Sequence, residues 1–379
     1  MSEEKRRIHV AITHGDTNGI GYELIFKTFA EQDIMEYCTP IIYGSPKVAA
    51  YHRKMLDVPA NFSIISKAED AYEGRLNLLT CFEEEVKVDV GLPSGEAGTA
   101  ALKALERVAE DSRQEAFDVM VAAPMNKSNM PDAVFPFYGY SDFLESRIGD
   151  GQKVLPMLIG EKMRVATLTV GKQLADAPTA VNQANIEEKA TLLWQTLKRD
   201  FRITNPRIAI LALNPKTDSH HFVGTEESEQ IAPAVESLAK KGIQAFGPYS
   251  SDEIFTDSEY MHFDAILAMH QEQAETPFRA LAQSRGVRLL AGLPLVCTAP
   301  DIDVSYDIAG KGEADESSFR QALYLAIDIY RNRQEYDLPQ ANPLPKLYHE
   351  RRDDSEKVRF ARPKPKFEKE ENSNAESAE

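Results

Sequence analysis

Several large protein classes are excluded by what this chain has little of. Cysteine is scarce: Cys38, Cys81 and Cys297 are scattered through 379 residues with no Cys-x-x-Cys spacing. That pattern fits reduced, mostly buried thiols and not a disulfide framework or a thiolate zinc site. Tryptophan occurs once, and no run approaches the roughly 18 apolar residues that cross a bilayer, so an integral membrane protein is not expected. Positive charge is also short, with 43 Lys and Arg against 60 Asp and Glu for a formal net charge of −17. The basic residues are dispersed, so a phosphate backbone would be repelled and nucleic acid is not an expected partner. A local cationic pocket for a phosphorylated small molecule remains compatible with that surface. The opening MSEEKRRIHVAIT sets charges ahead of a short apolar run and does not read as a secretory signal. With the reduced cysteines, this makes a cytoplasmic location the expectation.

What is present is an alternation. Short runs rich in β-branched residues are followed by longer amphipathic ones, the pattern of parallel strands joined by crossover helices. Strands are predicted at Ile8–Thr13, Thr39–Tyr43, Val119–Ala122, Val165–Thr169, Arg207–Leu213 and Ala265–Ala268. Helices are predicted at Tyr22–Glu31, Ser45–Met55, Glu96–Asp111, Ile186–Asp200 and Glu226–Lys241. A last helix is marked by Phe319, Ala322, Leu323, Ala326, Ile327 and Tyr330, which share one face. A chain this long exceeds one ordinary core and suits two lobes of roughly 150 residues with a cleft between them. There is no internal repeat. Residues 1–337 are read as the two-lobed unit and 338–379 as a charged, Pro-containing tail, expected to be disordered from about 355.

Five segments could carry chemistry. His14-Gly15-Asp16-Thr17-Asn18-Gly19-Ile20-Gly21 joins a strand to a helix and could present N–H groups to an anion, or be only a tight turn, since it lacks the G-x-G-x-x-G spacing. Ala123-Pro124-Met125-Asn126-Lys127 places a cation after a strand, where Lys127 is a candidate substrate contact or simply a surface lysine. Asn214-Pro215-Lys216-Thr217-Asp218-Ser219-His220-His221 offers adjacent histidines, which point apart on most backbones and more often belong to an exposed loop than to a metal site. Met269-His270-Gln271-Glu272-Gln273 sets an imidazole and a carboxylate at a strand end, suited to acid–base work or to an ordinary polar loop. Tyr306-Asp307-Ile308-Ala309-Gly310-Lys311-Gly312 is a glycine-rich loop that could approach a nucleotide closely.

In this order and at these separations, the five segments resemble the 4-hydroxythreonine-4-phosphate dehydrogenase family of vitamin B6 synthesis. The likeness runs from about Ile8 to Arg333 and includes Glu96-Ala97-Gly98, Leu213-Asn214-Pro215, Gly224-Thr225-Glu226-Glu227 and Gly292-Leu293-Pro294. The resemblance implies an α/β, two-lobed isocitrate/isopropylmalate dehydrogenase-like fold, α/β/α lobes with a cleft between them, assembled as a homodimer. It implies oxidation of a phosphorylated hydroxy-amino acid with NAD, followed by decarboxylation, assisted by a divalent metal that three histidines hold.

Carried over residue by residue, the resemblance assigns Lys127 and Asp252 to catalysis, Tyr140, Ser141, Arg279 and Arg288 to the substrate, and Asn214 and Asp307 to the cofactor. Glu272 stands for a family aspartate and Cys297 for an arginine. Ile302-Asp303-Val304-Ser305 replaces His-Gly-Thr-Ala near the cofactor loop. The three metal histidines fall on Gly171, Lys216 and Gln271, which offer no ligand atom, a cation and a weak carbonyl. The family metal is therefore not expected. Two functions follow: a dehydrogenase whose metal is relocated to His220, His221, His270 or Asp252 or dispensed with, or a catalytically inactive paralogue. The latter would serve as a binding or regulatory subunit, paired with itself or with an active homologue.

Overall fold

Every residue of the run Ile8–Thr13 is buried, and it forms strand β1. Continuous burial, in place of alternation, is what a strand covered on both faces requires. Around it a computed structural model, which describes residues 6–130, 133–215 and 224–342, builds one twelve-stranded sheet. The other strands are β2 (Cys38–Gly44), β3 (Phe62–Ile65), β4 (Leu76–Thr80), β5 (Val119–Ala122), β6 (Leu155–Ile159), β7 (Arg164–Thr169), β8 (Arg207–Leu211), β9 (Gln244–Tyr249), β10 (Ala265–His270), β11 (Val287–Ala291) and β12 (Val296–Pro300). They lie in the order β3-β4-β2-β1-β5-β12-β11-β6-β7-β10-β8-β9.

Pairing is parallel from β3 to β12 and again from β7 to β9, and antiparallel at β12/β11, β11/β6 and β6/β7. Three antiparallel steps reverse the chain direction, so the two parallel flanks run in opposite senses. Residues up to Leu338 form one compact unit.

The helices are α1 (Gly21–Thr28), α2 (Pro46–Met55), α3 (Gly95–Arg113), α4 (Tyr140–Ile148), α5 (Ala177–Ala180), α6 (Gln183–Arg199), α7 (Ala232–Lys240), α8 (Ser251–Phe255), α9 (Gln271–Ala282) and α10 (Ser317–Ala341). On one face of the sheet, α1, α2, α6, α7 and α10 share a single apolar cluster, in which Leu24, Val48, Leu193, Leu238 and Phe319 pack on Val10, Ile12, Ile210 and Leu267. The opposite face is divided. There α3 and α4 pack Leu105, Val108 and Phe143 on Ala11, Ile41 and Met120, whereas α8 and α9 pack Ile254, Ala274 and Phe278 on Val165, Ala209 and Ile266. Between these two clusters the antiparallel strands β6 and β11 lie under a gap, and the gap is the cleft.

The predicted strands all form, with ends displaced by at most two residues, and the predicted helices form with ends displaced by up to three; the Glu226–Lys241 helix opens with a wide turn over 227–231 before α7. Six strands (β3, β4, β6, β9, β11, β12) and the helices α4, α5, α8 and α9 are additions. The segment at Gln271, allowed above as a polar loop, is the first turn of α9. Lys216, His220, His221 and the tail beyond 342 lie outside the described residues.

Candidate functional site

A cavity of about 450 Å³ fills the gap over the antiparallel strands. Its floor is Pro156, Met157 and Leu158 of β6 with Arg288 and Leu290 of β11. One wall is the start of α4 with Gly139, Tyr140 and Ser141. The other is a stripe of α9 made by Gln271, Glu275 and Arg279. That stripe follows from helical geometry, because positions four apart stack on one face. Lys127, from the loop after β5, and Asp303 complete the rim. Five residues assigned from the sequence, Lys127, Tyr140, Ser141, Arg279 and Arg288, thus meet in one place, together with the metal position Gln271. A neighbouring cavity of about 510 Å³ shares Gln271, Glu275 and Arg279 and adds His270, Glu272 and Lys172.

The two arginines are engaged with acids. Asp301 accepts from Arg288 at 2.7 Å and from Arg279 at 3.2 Å, and Glu275 lies 3.3 Å from Arg279 and 3.7 Å from Arg288. The Asp301 side chain is buried and is not part of the cavity lining, so it holds both guanidiniums without occupying the cavity. Tyr140 keeps its proton more tightly than an ordinary phenol, first because it is buried and then because of Cys297 behind it. Cys297, standing for a family arginine, is fully buried with Sγ 3.7 Å from the Met120 sulfur. Burial pushes its thiol up to about 12, so it supplies neither charge nor nucleophile to the cavity. Ser141 Oγ donates to Asp142 Oδ1 at 3.4 Å, and Asp142 Oδ2 accepts from the Tyr138 N–H at 3.2 Å.

The described metal positions do not fit a divalent ion. Gly171 carries no donor, and a Cβ built there meets Tyr138 ring carbons at 2.6 to 2.8 Å. The Tyr138 hydroxyl reaches Gln271 Oε1 in a long contact of 3.5 Å, while Gln271 Nε2 donates to Glu275 Oε1 at 2.7 Å. The one metal-binding atom of Gln271 already has a partner. Tyr138 therefore touches both described positions where the resemblance puts histidines, and its ring stands where a side chain at 171 would begin. Among the described residues no group of three His, Cys, Asp or Glu converges as a metal site. The His270 imidazole is held below its ordinary value, mainly by burial and against the raising effect of Glu272.

Three assigned residues stay away from the cavity lining. Asp252 is exposed on α8, after the edge strand β9. Asn214 is drawn into a local network: its Nδ2 donates to Glu226 at 2.9 Å and Glu227 at 3.0 Å, and Glu227 Oε1 accepts the Leu213 and Asn214 N–H groups. Asp307 is exposed in the turn that ends at Gly312. That turn is fastened to α1 and the first loop. Lys27 donates to the Gly312 and Ala314 carbonyls, Glu23 accepts the Ala314 N–H, and the Ile20 N–H donates to the Val304 carbonyl.

The first segment is consumed in the same way. Asp16 Oδ2 accepts from Asn129 at 2.6 Å and from the Tyr306 hydroxyl at 2.9 Å, and Asp16 Oδ1 accepts the Asn18 N–H. Asn18 in turn binds Leu92, Ser94 and Asp89. Through Asp16 and Asn18 the segment forms a tight turn tied to the loops around it. Gly15 shows why glycine is needed: a Cβ there would lie 2.1 Å from the Pro124 carbonyl oxygen.

Tyr138, Glu275 and Asp301 escaped the sequence analysis. None sits in a motif; each becomes part of the site only through α9, β12 and the loop before α4, elements with weak signals.

With this geometry in hand, comparison with known proteins identifies the family. A model of the pyridoxal phosphate biosynthetic protein PdxA family matches residues 36–326. A 4-hydroxythreonine-4-phosphate dehydrogenase of Bacteroides thetaiotaomicron is 48% identical over 94% of this chain and 98% of its own, and one of Sulfurihydrogenibium sp. is 32% identical over 86% and 99%. The crystal structure of a 4-hydroxythreonine-4-phosphate dehydrogenase from Klebsiella pneumoniae superimposes with a TM-score of 0.73 at 26% identity, covering 86% of this chain and 99% of that one. The fold is the isocitrate dehydrogenase-like α/β fold of these relatives, and the chain belongs to the PdxA family of 4-hydroxythreonine-4-phosphate dehydrogenases.

Proposed function

We propose that the chain binds a phosphorylated hydroxy-amino acid of the family's class in the 450 Å³ cavity, without a three-histidine metal, and acts there as a binding or regulatory subunit. The cavity chemistry supports such a ligand. Lys127, Arg279 and Arg288 supply cationic character, the first turn of α4 adds N–H groups, and Glu275 and Asp303 offer carboxylates to an ammonium. A ligand with a phosphate at one end and an amine at the other matches both. The observation that carries the reading is the Tyr138 ring lying on Gly171 with its hydroxyl at Gln271. A polarising cation at that point, which the family's oxidation uses as a Lewis acid, has neither space nor donors on this side. The chain pairs with a second copy or with an active relative, and it stays in the cytoplasm.

A second function, NAD-dependent oxidation of the same ligand, is favoured by two observations: Lys127 keeps its place at the cavity, and the Bacteroides thetaiotaomicron relative, 48% identical, is named a dehydrogenase. One experiment separates the two. The purified chain is titrated calorimetrically with phosphorylated 4-hydroxythreonine in the absence of metal, then incubated with that compound, NAD or NADP, and magnesium or zinc while reduced nicotinamide is followed by absorbance. Binding without turnover is expected. Turnover would establish the dehydrogenase, and the absence of any binding heat would remove the binding role as well.

A further inference from the structure

Histidines restored at positions 171 and 271 would meet an obstacle, the side chain of Tyr138. Tyr138 is held at both ends: its backbone N–H donates to Asp142 Oδ2 in the first turn of α4, and its hydroxyl reaches Gln271 at the start of α9. Between these anchors the ring lies flat against Gly171. The atoms nearest the built Cβ are Cγ, Cδ1 and Cδ2, the base of the ring and not its free end, so a small swing about the side chain does not clear them. The backbone of Gly171 has φ +71°, a conformation that histidine visits more readily than most residues. The ring is therefore the larger obstacle to an imidazole at 171.

We infer that Tyr138 is a specificity-determining plug: an aromatic side chain that occupies the family's cation position and keeps divalent metal out even where metal-binding side chains are supplied. This rests on the same matching of positions 171 and 271 as the metal-free function above, but not on which ligand the cavity takes. Loss of the histidines and gain of the plug are then coupled changes. Once a tyrosine leans on position 171, only glycine leaves it room, and once glycine stands there, nothing selects for a cation.

The test uses the full chain and zinc alone, with no organic ligand. Zinc affinity is measured by calorimetry, and cobalt(II) absorption in the visible region serves as an independent sign of imidazole coordination, for G171H/Q271H and for Y138A/G171H/Q271H. The double variant is expected to bind zinc no more tightly than the parent, and the triple variant about tenfold more tightly or better, with a cobalt spectrum that the double lacks. Equal zinc affinity in the two variants, strong or absent, overturns the plug. A second measurement needs no metal and no triple variant. G171H is expected to lower the thermal midpoint by several degrees when Tyr138 is present and by clearly less when combined with Y138A, because removing the ring removes the clash. Strictly additive shifts overturn the inference. Failure of the phosphorylated ligand to bind would leave both results untouched, so the two proposals fall separately.

Discussion

The Asp301 carboxylate is 2% exposed and faces two guanidiniums, Arg288 at 2.7 Å and Arg279 at 3.2 Å. Burial makes the carboxylate costly unless it is paired, while the partly exposed arginines limit what the pairing returns. D301N keeps the shape and removes the charge, leaving Glu275 to serve both arginines. It should lower stability by about 1 to 3 kcal/mol in urea unfolding and release the arginines from their fixed geometry, so that a phosphorylated ligand binds with altered salt dependence in calorimetry. An unchanged urea midpoint would show that Asp301 is not the anchor. Arg279 and Arg288 were nameable from the sequence because the resemblance carried them. Asp301 was not, since nothing local distinguishes a carboxylate at the end of an unrecognised strand from any of the other acids in so acidic a chain. Tyr138 was missed for the same reason: its importance comes from Gly171 and Gln271, which are distant in sequence.

At the scale of elements, the junction of β1, α1 and α2 holds three stacked rings. His14 lies on Tyr22 with centroids 5.3 Å apart and Tyr22 on His52 at 5.0 Å. All three are buried, and His52 Nε2 donates to the Thr17 carbonyl at 2.7 Å. Burial is the main cause that holds both imidazoles at about 4, against 6.5 in an unfolded chain. The folded state therefore keeps them neutral while the unfolded state binds protons, so stability is full above pH 6.5 and falls as pH drops from 6.5 toward 4. The loss amounts to something on the order of 3 kcal/mol per histidine. H14F, which keeps a ring on Tyr22 but cannot titrate, should flatten that acid limb by about one proton's worth when urea midpoints are followed against pH. An unaltered slope would mean that His14 is not responsible. The elements around this junction were readable because β1, α1 and α2 carry continuous or periodic apolar runs. The floor and walls of the cavity were not: β6 contains Pro156 and α9 contains Pro277, residues that argue locally against a strand or helix. Helix α4 buries only Phe143 and Leu144, too few apolar positions to announce a period. The site is thus built from the least regular parts of the chain, and sequence patterns report regularity.

Across the whole molecule, a sheet whose flanks run in opposite senses needs something that fixes its reversing middle to the helical layer, and α10 contributes a buried ionic clamp to that, beside its apolar packing. Arg333 reaches Asp200 at the end of α6 with two hydrogen bonds of 2.7 and 2.8 Å, and its remaining nitrogen donates to the Leu293 and Pro294 carbonyls in the turn between β11 and β12. Both side chains are nearly inaccessible, at 7% and 2%. This gives the family block Gly292-Leu293-Pro294 a structural meaning, since its carbonyls are what a guanidinium at the clamp requires. The same two helices are also joined by Arg199 and Asp337, which are 39% and 46% exposed. Geometry alone would rate the two pairs alike; burial separates them. Removing one partner of a buried pair strands a charge and two carbonyls, whereas an exposed pair exchanges its partner for water. R333A should therefore cost about 3 to 5 kcal/mol in urea unfolding and R199A less than about 1 kcal/mol. R333K should recover only part of the loss, because an ammonium cannot serve the carboxylate in two-pronged fashion and both carbonyls together. Equal effects of R333A and R199A would mean that the reversing middle of the sheet is held by apolar packing alone, with the clamp as a passenger.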